Sequence, residues 1–158
     1  DRVEISSPGQ PLISTDRFID EYQSRNEDLA DIMRRMGFCE EKGSGMDKAL
    51  SAIESYKLPA IKYRVSEIRT SIILSEYKTW TQTTKEEKLQ ACYQHACLKY
   101  LSNEMLTNQS LRERLQVDEK NYASISRLIK EAINNGLIKV GTPEGTNRRD
   151  VGYIPVWG

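Results

Sequence analysis

Polar and basic side chains near the carboxyl end of the chain are spaced in a way that suits contact with nucleic acid. Five of them fall opposite an apolar stripe in the stretch 119–134: Lys120, Asn121, Ser124, Arg127 and Lys130. A polar turn follows over 141–147, and Arg148 and Arg149 come directly after it. Lys and Arg bind phosphates, and Asn and Ser can reach base edges. These seven residues are therefore predicted to contact double-stranded DNA.

The elements that would carry these residues can be read from caps and periodicity. Thr107 is placed to cap a helix containing Leu111 and Leu115. A second helix is predicted over Glu119–Asn134 with a stripe of Tyr122, Ile125, Leu128, Ile129, Ala132 and Ile133. Gly136 would end it, and short strands are expected at 137–140 and 153–156. With a first helix at 85–101, this order predicts a winged helix-turn-helix domain over residues 79–158.

A glycine-containing segment, Gly43, Ser44 and Gly45, precedes a predicted helix over Asp47–Tyr56. Free backbone amides at a helix start can bind a phosphate, and glycine lets the ligand approach the backbone. The same residues also suit a turn that only needs flexible dihedral angles. The segment is a candidate nucleotide-binding site, and the turn remains the alternative.

The residues most suited to catalysis or metal binding do not form a convincing set. Cys92 and His95 share a helix face, but Cys97 is turned away and no fourth ligand is near in sequence. His95 is the only histidine, so no Ser-His or Cys-His pair has a second histidine to support it. The carboxylate pairs Glu40-Glu41 and Glu86-Glu87 are interpreted as solvated helix charges. No catalytic residue and no metal ligand is therefore predicted.

Composition describes a globular chain of 158 residues with 29% charged side chains and a net charge of zero. Residues 1–80 carry 12 basic and 14 acidic side chains, whereas residues 81–158 carry 11 and 9. Three cysteines, an odd number, favour reduced thiols and a cytoplasmic location, and no apolar run is long enough to cross a membrane. The chain does not begin with Met, so we expect a piece of a longer polypeptide.

The first half predicts alternating strands and helices, an α+β domain over residues 1–78. Arg2–Ile5 alternates like a half-buried strand, and a short helix is expected from Arg17 to Tyr22. A helix starting at Ser24 or Asn26 would bury Leu29, Ile32, Met33 and Met36, and the next would bury Ala49, Leu50 and Ile53. Tyr63–Tyr77 predicts one long or bent strand, and the polar residues 79–84 predict a linker.

Several motifs resemble one bacterial family. They are Val3-Glu4-Ile5-Ser6-Ser7-Pro8-Gly9, Arg25-Asn26-Glu27-Asp28-Leu29-Ala30, Glu41-Lys42-Gly43-Ser44-Gly45-Met46 and Tyr153-Ile154-Pro155-Val156-Trp157. They resemble the regulators called "ATP-dependent DNA helicase RecG-related", which carry an AlbA/Schlafen-type domain ahead of this region. Ser7 stands where the family usually has Asn.

The resemblance implies that the first half is the later part of a histidine-kinase/gyrase-like ATPase-type α/β fold. The metal-holding Asn helix of that fold would then lie upstream of Asp1, and the segment at Gly43–Gly45 would lie near a nucleotide phosphate. ATP is thus expected with the full-length protein, and no cofactor with these residues alone. Nothing in the chain resembles the phosphate-binding loop of a helicase motor.

Three functional hypotheses follow from these observations. The first is a DNA-binding transcriptional regulator that uses the predicted recognition helix and wing. The second is a non-catalytic part of an ATP-dependent enzyme. The third is a protein-interaction or dimerisation module, for which a homodimer would be the simplest partner arrangement.

Overall fold

The computed structural model describes residues 1–39, 44–147 and 150–158, with only the backbone of residue 44. Helices and strands are mixed along the chain, as the predicted α+β class requires. The elements are β1 (Arg2–Pro8), α1 (Glu27–Arg35), α2 (Ser44–Ser55), β2 (Lys62–Val65), β3 (Arg69–Ser75), α3 (Lys85–Leu101), α4 (Asn108–Leu115), α5 (Tyr122–Asn134), β4 (Ile138–Val140) and β5 (Tyr153–Pro155).

The first half of the chain contains an antiparallel sheet in which β3 lies between β1 and β2. Ile72 at its centre is paired with Ile5 on one side and with Tyr63 on the other. A turn separates β2 from β3, where the amide of Ser66 donates to the carbonyl of Arg69 at 2.8 Å. The prediction of a single strand over Tyr63–Tyr77 was therefore wrong, because the segment forms two antiparallel strands. Ile68 lies in the turn between them and is 77% exposed.

Two apolar faces that were expected to be buried are exposed. β1 continues to Pro8, past the predicted break, but Val3 and Ile5 on this edge strand are each 59% exposed. α1 has the predicted Asn26 cap and is followed by Gly37 at φ +74°. Its apolar side chains are nevertheless exposed, namely Leu29, Ile32, Met33 and Met36. Periodicity defines an apolar face but not what covers it.

The helical segments around α2 also differ from prediction in detail. α2 buries Leu50 and Ile53 as expected, whereas Ala49 is exposed and Met46 packs on the core in its place. Positions 46, 50 and 53 lie close together on one helix face. Position 49 lies at the edge of that face and therefore nearer to the surface. The short helix predicted from Arg17 to Tyr22 is a single 3-10 turn, Thr15–Arg17, capped by Ser14.

α3 joins the two halves of the chain. It spans the predicted residues and begins at a capping box formed by Thr84 and Glu87. The amide side chain of Gln94 accepts from the Ile61 amide at 3.1 Å and donates to the Ile61 carbonyl at 2.8 Å. Trp80, in the predicted linker, packs on the core with the Lys88 ammonium 4.1 Å from its ring centre. The two predicted domains, 1–78 and 79–158, thus share contacts along α3.

The core itself contains side chains from both halves. Leu50, Ile53 and Ile61 belong to the same buried cluster as residues of α3, α4 and α5, among them Cys92, Ala96, Leu111 and Ile125. The carboxyl terminus is attached to this body through Trp157, whose indole nitrogen donates to the Tyr93 hydroxyl at 3.0 Å. Arg17 lies over the Trp157 ring at 4.5 Å. Burial of apolar surface therefore couples the two halves energetically.

The carboxyl-terminal elements follow the predicted order with shifted ends. Thr107 caps α4 and Gly136 follows α5 at φ +67°, both as expected. The helix predicted from Glu119 begins instead as a 3-10 turn, Glu119–Asn121, in which the Asn121 amide donates to the Asp118 carbonyl at 2.9 Å. Tyr122, placed in the buried stripe by prediction, is 40% exposed, because it opens α5 at the surface.

Candidate nucleic-acid interface

The pair α4 and α5 is joined by a tight turn. Gln116 ends α4 in the left-handed conformation, at φ +53°, and its side chain accepts a hydrogen bond from the Tyr77 hydroxyl at 2.7 Å. Leu111 of α4 and Ile125 of α5 are fully buried between the helices. The turn and this packing set the direction in which α5 presents its outer face.

The outer face of α5 carries two cations. Ile125, Leu128, Ile129 and Ala132 are buried, as the periodicity predicted, and Arg127 and Lys130 lie on the exposed side. Neither Arg127 nor Lys130 forms an ion pair with any residue that the structure describes. Both side chains are therefore available to an anionic ligand.

The other predicted contacts on this segment lie in different surroundings. Ser124 is half-buried on the flank of α5. Lys120 and Asn121 are exposed in the 3-10 turn that precedes the helix. The Lys120 ammonium lies 3.2 Å from a carboxylate oxygen of Asp118, and both side chains are well exposed. An exposed pair of this kind is weak, but it lowers the positive potential at this end of the face.

The acidic residue of α5 is neutralised by a neighbouring helix. Glu131 forms an ion pair with Lys85 in the first turn of α3. The hydrogen bond with Glu131 also raises the pKa of Lys85 above its usual value. As a result, the potential of the α5 face is set by Arg127 and Lys130 rather than balanced by Glu131.

A short hairpin lies beside α5. β4 and β5 are antiparallel, and Leu106, between α3 and α4, adds a bridge to Tyr153 with amide-to-carbonyl distances of 2.8 and 2.9 Å. Gly141 and Gly152 continue the pairing towards the turn, where the Gly141 amide donates to the Gly152 carbonyl at 2.9 Å. Arg148 and Arg149, predicted to form the basic tip, lie outside the described residues.

The candidate nucleotide segment is described only in part. Gly43 and the side chain of Ser44 lie outside the described residues, and Gly45 is exposed in the first turn of α2. Asp47 follows in the same turn, and burial together with Asp20 raises the pKa of its carboxyl. A carboxylate at this position repels a phosphate and therefore offsets part of the attraction of the helix amino terminus.

A polar chain crosses the core between α2, α3 and α4. Nδ1 of His95 lies 2.8 Å from Glu54 Oε2, and Nε2 lies 3.1 Å from the Ser110 hydroxyl. Arg114 adds an ion pair with Glu54 at 3.3 Å and donates to the Leu58 carbonyl at 2.7 Å. Burial lowers the pKa of Arg114, and Glu54 opposes that effect.

The order serine, histidine, carboxylate matches a nucleophilic triad, but the surroundings do not. The Ser110 hydroxyl accepts from the Thr107 amide at 3.0 Å within the capping box of α4. The His95 side chain is buried, and Glu54 and Ser110 occupy both of its ring nitrogens. A reacting carbonyl would need space beside the nucleophile together with oxyanion donors. The hydrogen-bonded series Glu54–His95–Ser110 is therefore interpreted as a structural connection between helices.

The carboxylate of Glu87 is buried, contrary to prediction. Glu87, expected to be a solvated helix charge, is 1% exposed and accepts hydrogen bonds from Lys62 and Lys78, each at 2.7 Å. Burial opposes its ionisation, but the two lysines outweigh that effect and hold its pKa at about 2. This cluster links β2 and the segment before α3 to the start of α3. Glu40 and Glu41 lie outside the described residues.

The cysteines on α3 are buried. Cys92 and Cys97 are both free and fully covered, and burial raises the pKa of each thiol to about 12. In the described part of the chain, no three His, Cys, Asp or Glu side chains come together in a way that could hold a metal ion. The described helices also include none long and apolar enough to cross a membrane.

Sequence reasoning did not find the Glu54–His95–Ser110 chain, since its members are far apart along the sequence. One local signal was present: His95 lies between Cys92 and Ala96 on the buried face of α3. A polar side chain on such a face normally has a hydrogen-bonding partner. The identity of that partner depends on tertiary packing.

The fold and surface define a mixed α+β protein with a helix pair and hairpin at its carboxyl end. The model of the family described as "Putative ATP-dependent DNA helicase recG C-terminal" matches residues 1–74. That match is consistent with the RecG-related resemblance of the first half. Comparison with curated proteins gave no match, and comparison with solved structures gave none either.

Proposed function

We propose that residues 79–158 form a winged helix-turn-helix that binds double-stranded DNA, in a cytoplasmic transcriptional regulator related to RecG-type proteins. The observation that carries the proposal is the exposed cationic face of α5, where Arg127 and Lys130 are unpaired among the described residues and Glu131 is held by Lys85. The description of the family that matches residues 1–74 names a DNA helicase, which supports an association with DNA.

The arrangement of elements supports the same function. The order of a helix-turn-helix is present in α4, the turn and α5. The β4–β5 hairpin is joined to the segment before α4 by the bridge between Tyr153 and Leu106. In such proteins the second helix of the pair lies in the major groove and side chains at its start reach base edges. Lys120, Asn121 and Ser124 are proposed for that role, and Arg127 and Lys130 for phosphate contacts. Arg148 and Arg149 are proposed as wing contacts.

A salt titration with matched charge variants tests the proposal. We expect Arg127→Ala with Lys130→Ala to weaken binding to a random-sequence duplex and to reduce the slope of log K against log salt by about two units. The control removes two exposed cations elsewhere, Arg35 and Arg69, and should leave both quantities unchanged. Equal binding by both double variants, with the wild-type slope, would instead favour a protein-interaction or dimerisation module.

An ATP-dependent role for the full-length protein is the second candidate, and the family match at residues 1–74 favours it. Here the chain would supply a non-catalytic part of the nucleotide site near Gly43, Ser44 and Gly45. Equilibrium binding of labelled ATP to the full-length protein, compared with a variant in which Gly45 is replaced by Leu, tests this role. Phosphate release by residues 1–158 alone would contradict the non-catalytic assignment.

A further inference from the structure

A concave pocket lies where α5 meets the amino end of α4 and the second strand of the hairpin. Its volume is about 210 Å³, and its apolar lining consists of Ile129, Ile133 and Val151. Polar side chains complete the lining: Asn108, Tyr122, Ser126, Lys130 and Tyr153. A lining that combines apolar side chains with a few polar groups is usual for a binding site.

Three of the polar groups in this pocket have no protein partner among the described residues. Among the described residues, the hydroxyls of Tyr122 and Tyr153 have no hydrogen-bond partner and Lys130 has no ion pair. Burial, with Tyr122 as a smaller cause, raises the pKa of Tyr153 above its usual value. A phenol hydroxyl is protonated at neutral pH, so Tyr153 can donate a hydrogen bond. Two phenolic donors and an ammonium in the lining of one pocket suit an anionic oxygen.

The wall formed by Asn108 is held in place on three sides. Its Nδ2 donates to Ser126 Oγ at 3.0 Å and to the Tyr122 carbonyl at 3.3 Å. Its Oδ1 accepts from Arg112 Nε at 3.0 Å, and the side chain is 8% exposed. These bonds attach the first turn of α4 to α5, so the pocket is formed before any ligand arrives. They also hold the Arg112 guanidinium beside Asn108.

We propose that this pocket binds one phosphodiester of the DNA backbone together with its deoxyribose. The phosphate oxygens accept from Tyr122, Tyr153 and Lys130, and the sugar carbons contact Ile133 and Val151. The location favours DNA because Lys130 belongs to the cationic face of α5 while Val151 and Tyr153 belong to the hairpin. A strand that passes from the helix to the wing crosses this junction. The inference rests on the proposed DNA-binding function.

Neutral substitutions separate this site from general charge attraction. Tyr122→Phe with Tyr153→Phe removes two donors without changing the charge. We expect about tenfold weaker duplex binding with an unchanged salt slope, since hydrogen bonds to a charged group are lost but no counterion term changes. Tyr56→Phe, at an exposed tyrosine directly after α2 and outside the pocket, is the control and should bind like wild type.

Scanning the duplex with single methylphosphonate linkages locates the contacted phosphate. At one position the neutral linkage should weaken wild-type binding several-fold and weaken the double tyrosine variant less, because that variant keeps only Lys130 at the contacted phosphate. Uniform sensitivity of both proteins at every position would overturn the inference. Binding of deoxyribose 5-phosphate to the pocket, with duplex affinity insensitive to the tyrosines, would also overturn it, because a small phosphate ester would then be the ligand.

The single variant Arg127→Ala separates a failure of the phosphodiester pocket from a failure of the proposed DNA-binding function. If it weakens DNA binding while the tyrosine variant does not, DNA binding stands and the phosphodiester pocket is wrong. If neither variant affects binding, the proposed function itself fails.

Discussion

His95 and Glu54 are separated by 41 residues in the sequence, yet Nδ1 of the imidazole lies 2.8 Å from the carboxylate. The histidine is 5% exposed and is bonded on its other nitrogen to Ser110. This contact joins α2 of the first half to α3 and α4, which support the proposed recognition helix. The arrangement of α4 therefore depends on a residue of the part that matches the RecG-related family.

Replacing His95 by Ala should destabilise the whole chain. The change removes two buried hydrogen bonds and leaves Glu54 with Arg114 alone, so we expect the free energy of unfolding to fall by about 3 kcal/mol. Ser110→Ala removes one of the two bonds and also the capping-box bond from the Thr107 amide, and should cost about 1–2 kcal/mol. Urea denaturation followed by tryptophan fluorescence measures both. A loss below that of Ser110→Ala would contradict a structural role for the imidazole.

Glu87 should make stability depend on acid pH. Its pKa in the folded protein is about 2, against an ordinary value of 4.5, so folding favours the ionised form. The contribution is fully present above about pH 4.5 and is lost as the pH falls from there towards 2. Glu87→Gln should lower the free energy of unfolding by about 1–3 kcal/mol at pH 7.

The difference between wild type and Glu87→Gln should shrink as the pH is lowered through that window. Denaturation midpoints at several pH values check this, with the exposed variant Glu67→Gln as control. A difference that stays constant from pH 7 to pH 2.5 would show that the two lysines do not hold the pKa of Glu87 down.

Two glycines offer a matched pair for backbone substitution. A Cβ on Gly152 would lie 2.7 Å from the Met105 Cβ, which cannot move without the backbone. Gly152→Ala should therefore destabilise the hairpin by about 1–3 kcal/mol. A Cβ on Gly45 of α2 meets none of the described atoms within 4 Å, and Gly45→Ala should stabilise the chain by about 0.5–1 kcal/mol. Thermal unfolding compares them, and equal shifts would contradict the steric argument.

The thiols should differ sharply in reactivity. Cys39 is exposed, whereas burial raises the pKa of Cys92 and Cys97 to about 12 and covers both sulfurs. At pH 8 a maleimide should modify one thiol in the native protein and three after denaturation. Mass spectrometry of the intact chain counts the additions. Rapid modification of Cys92 in the native state would show that the core opens around α3.

Local features were predictable from sequence because their causes are local. The caps at Asn26 and Thr107 depend on a side chain and amides within three residues of it, and Gly37 and Gly136 end helices through their own dihedral angles. The buried stripe of α5 follows from the helical period, because the amphipathic face has a neighbour to pack on. In the same way, the exposed position of Arg127 could be expected from spacing alone.

Burial and pairing were decided only by the tertiary structure. The apolar side chains of α1 have the same periodicity as those of α5, yet Ile32 is 54% exposed while Ile125 is fully buried. Glu87 and Glu86 are indistinguishable in sequence pattern, but only Glu87 meets two lysines. Such outcomes depend on which element lies opposite a face, and that is set by contacts between residues far apart along the chain. For this reason the Glu54–His95–Ser110 chain and the pocket beside Lys130 became visible only in the folded protein.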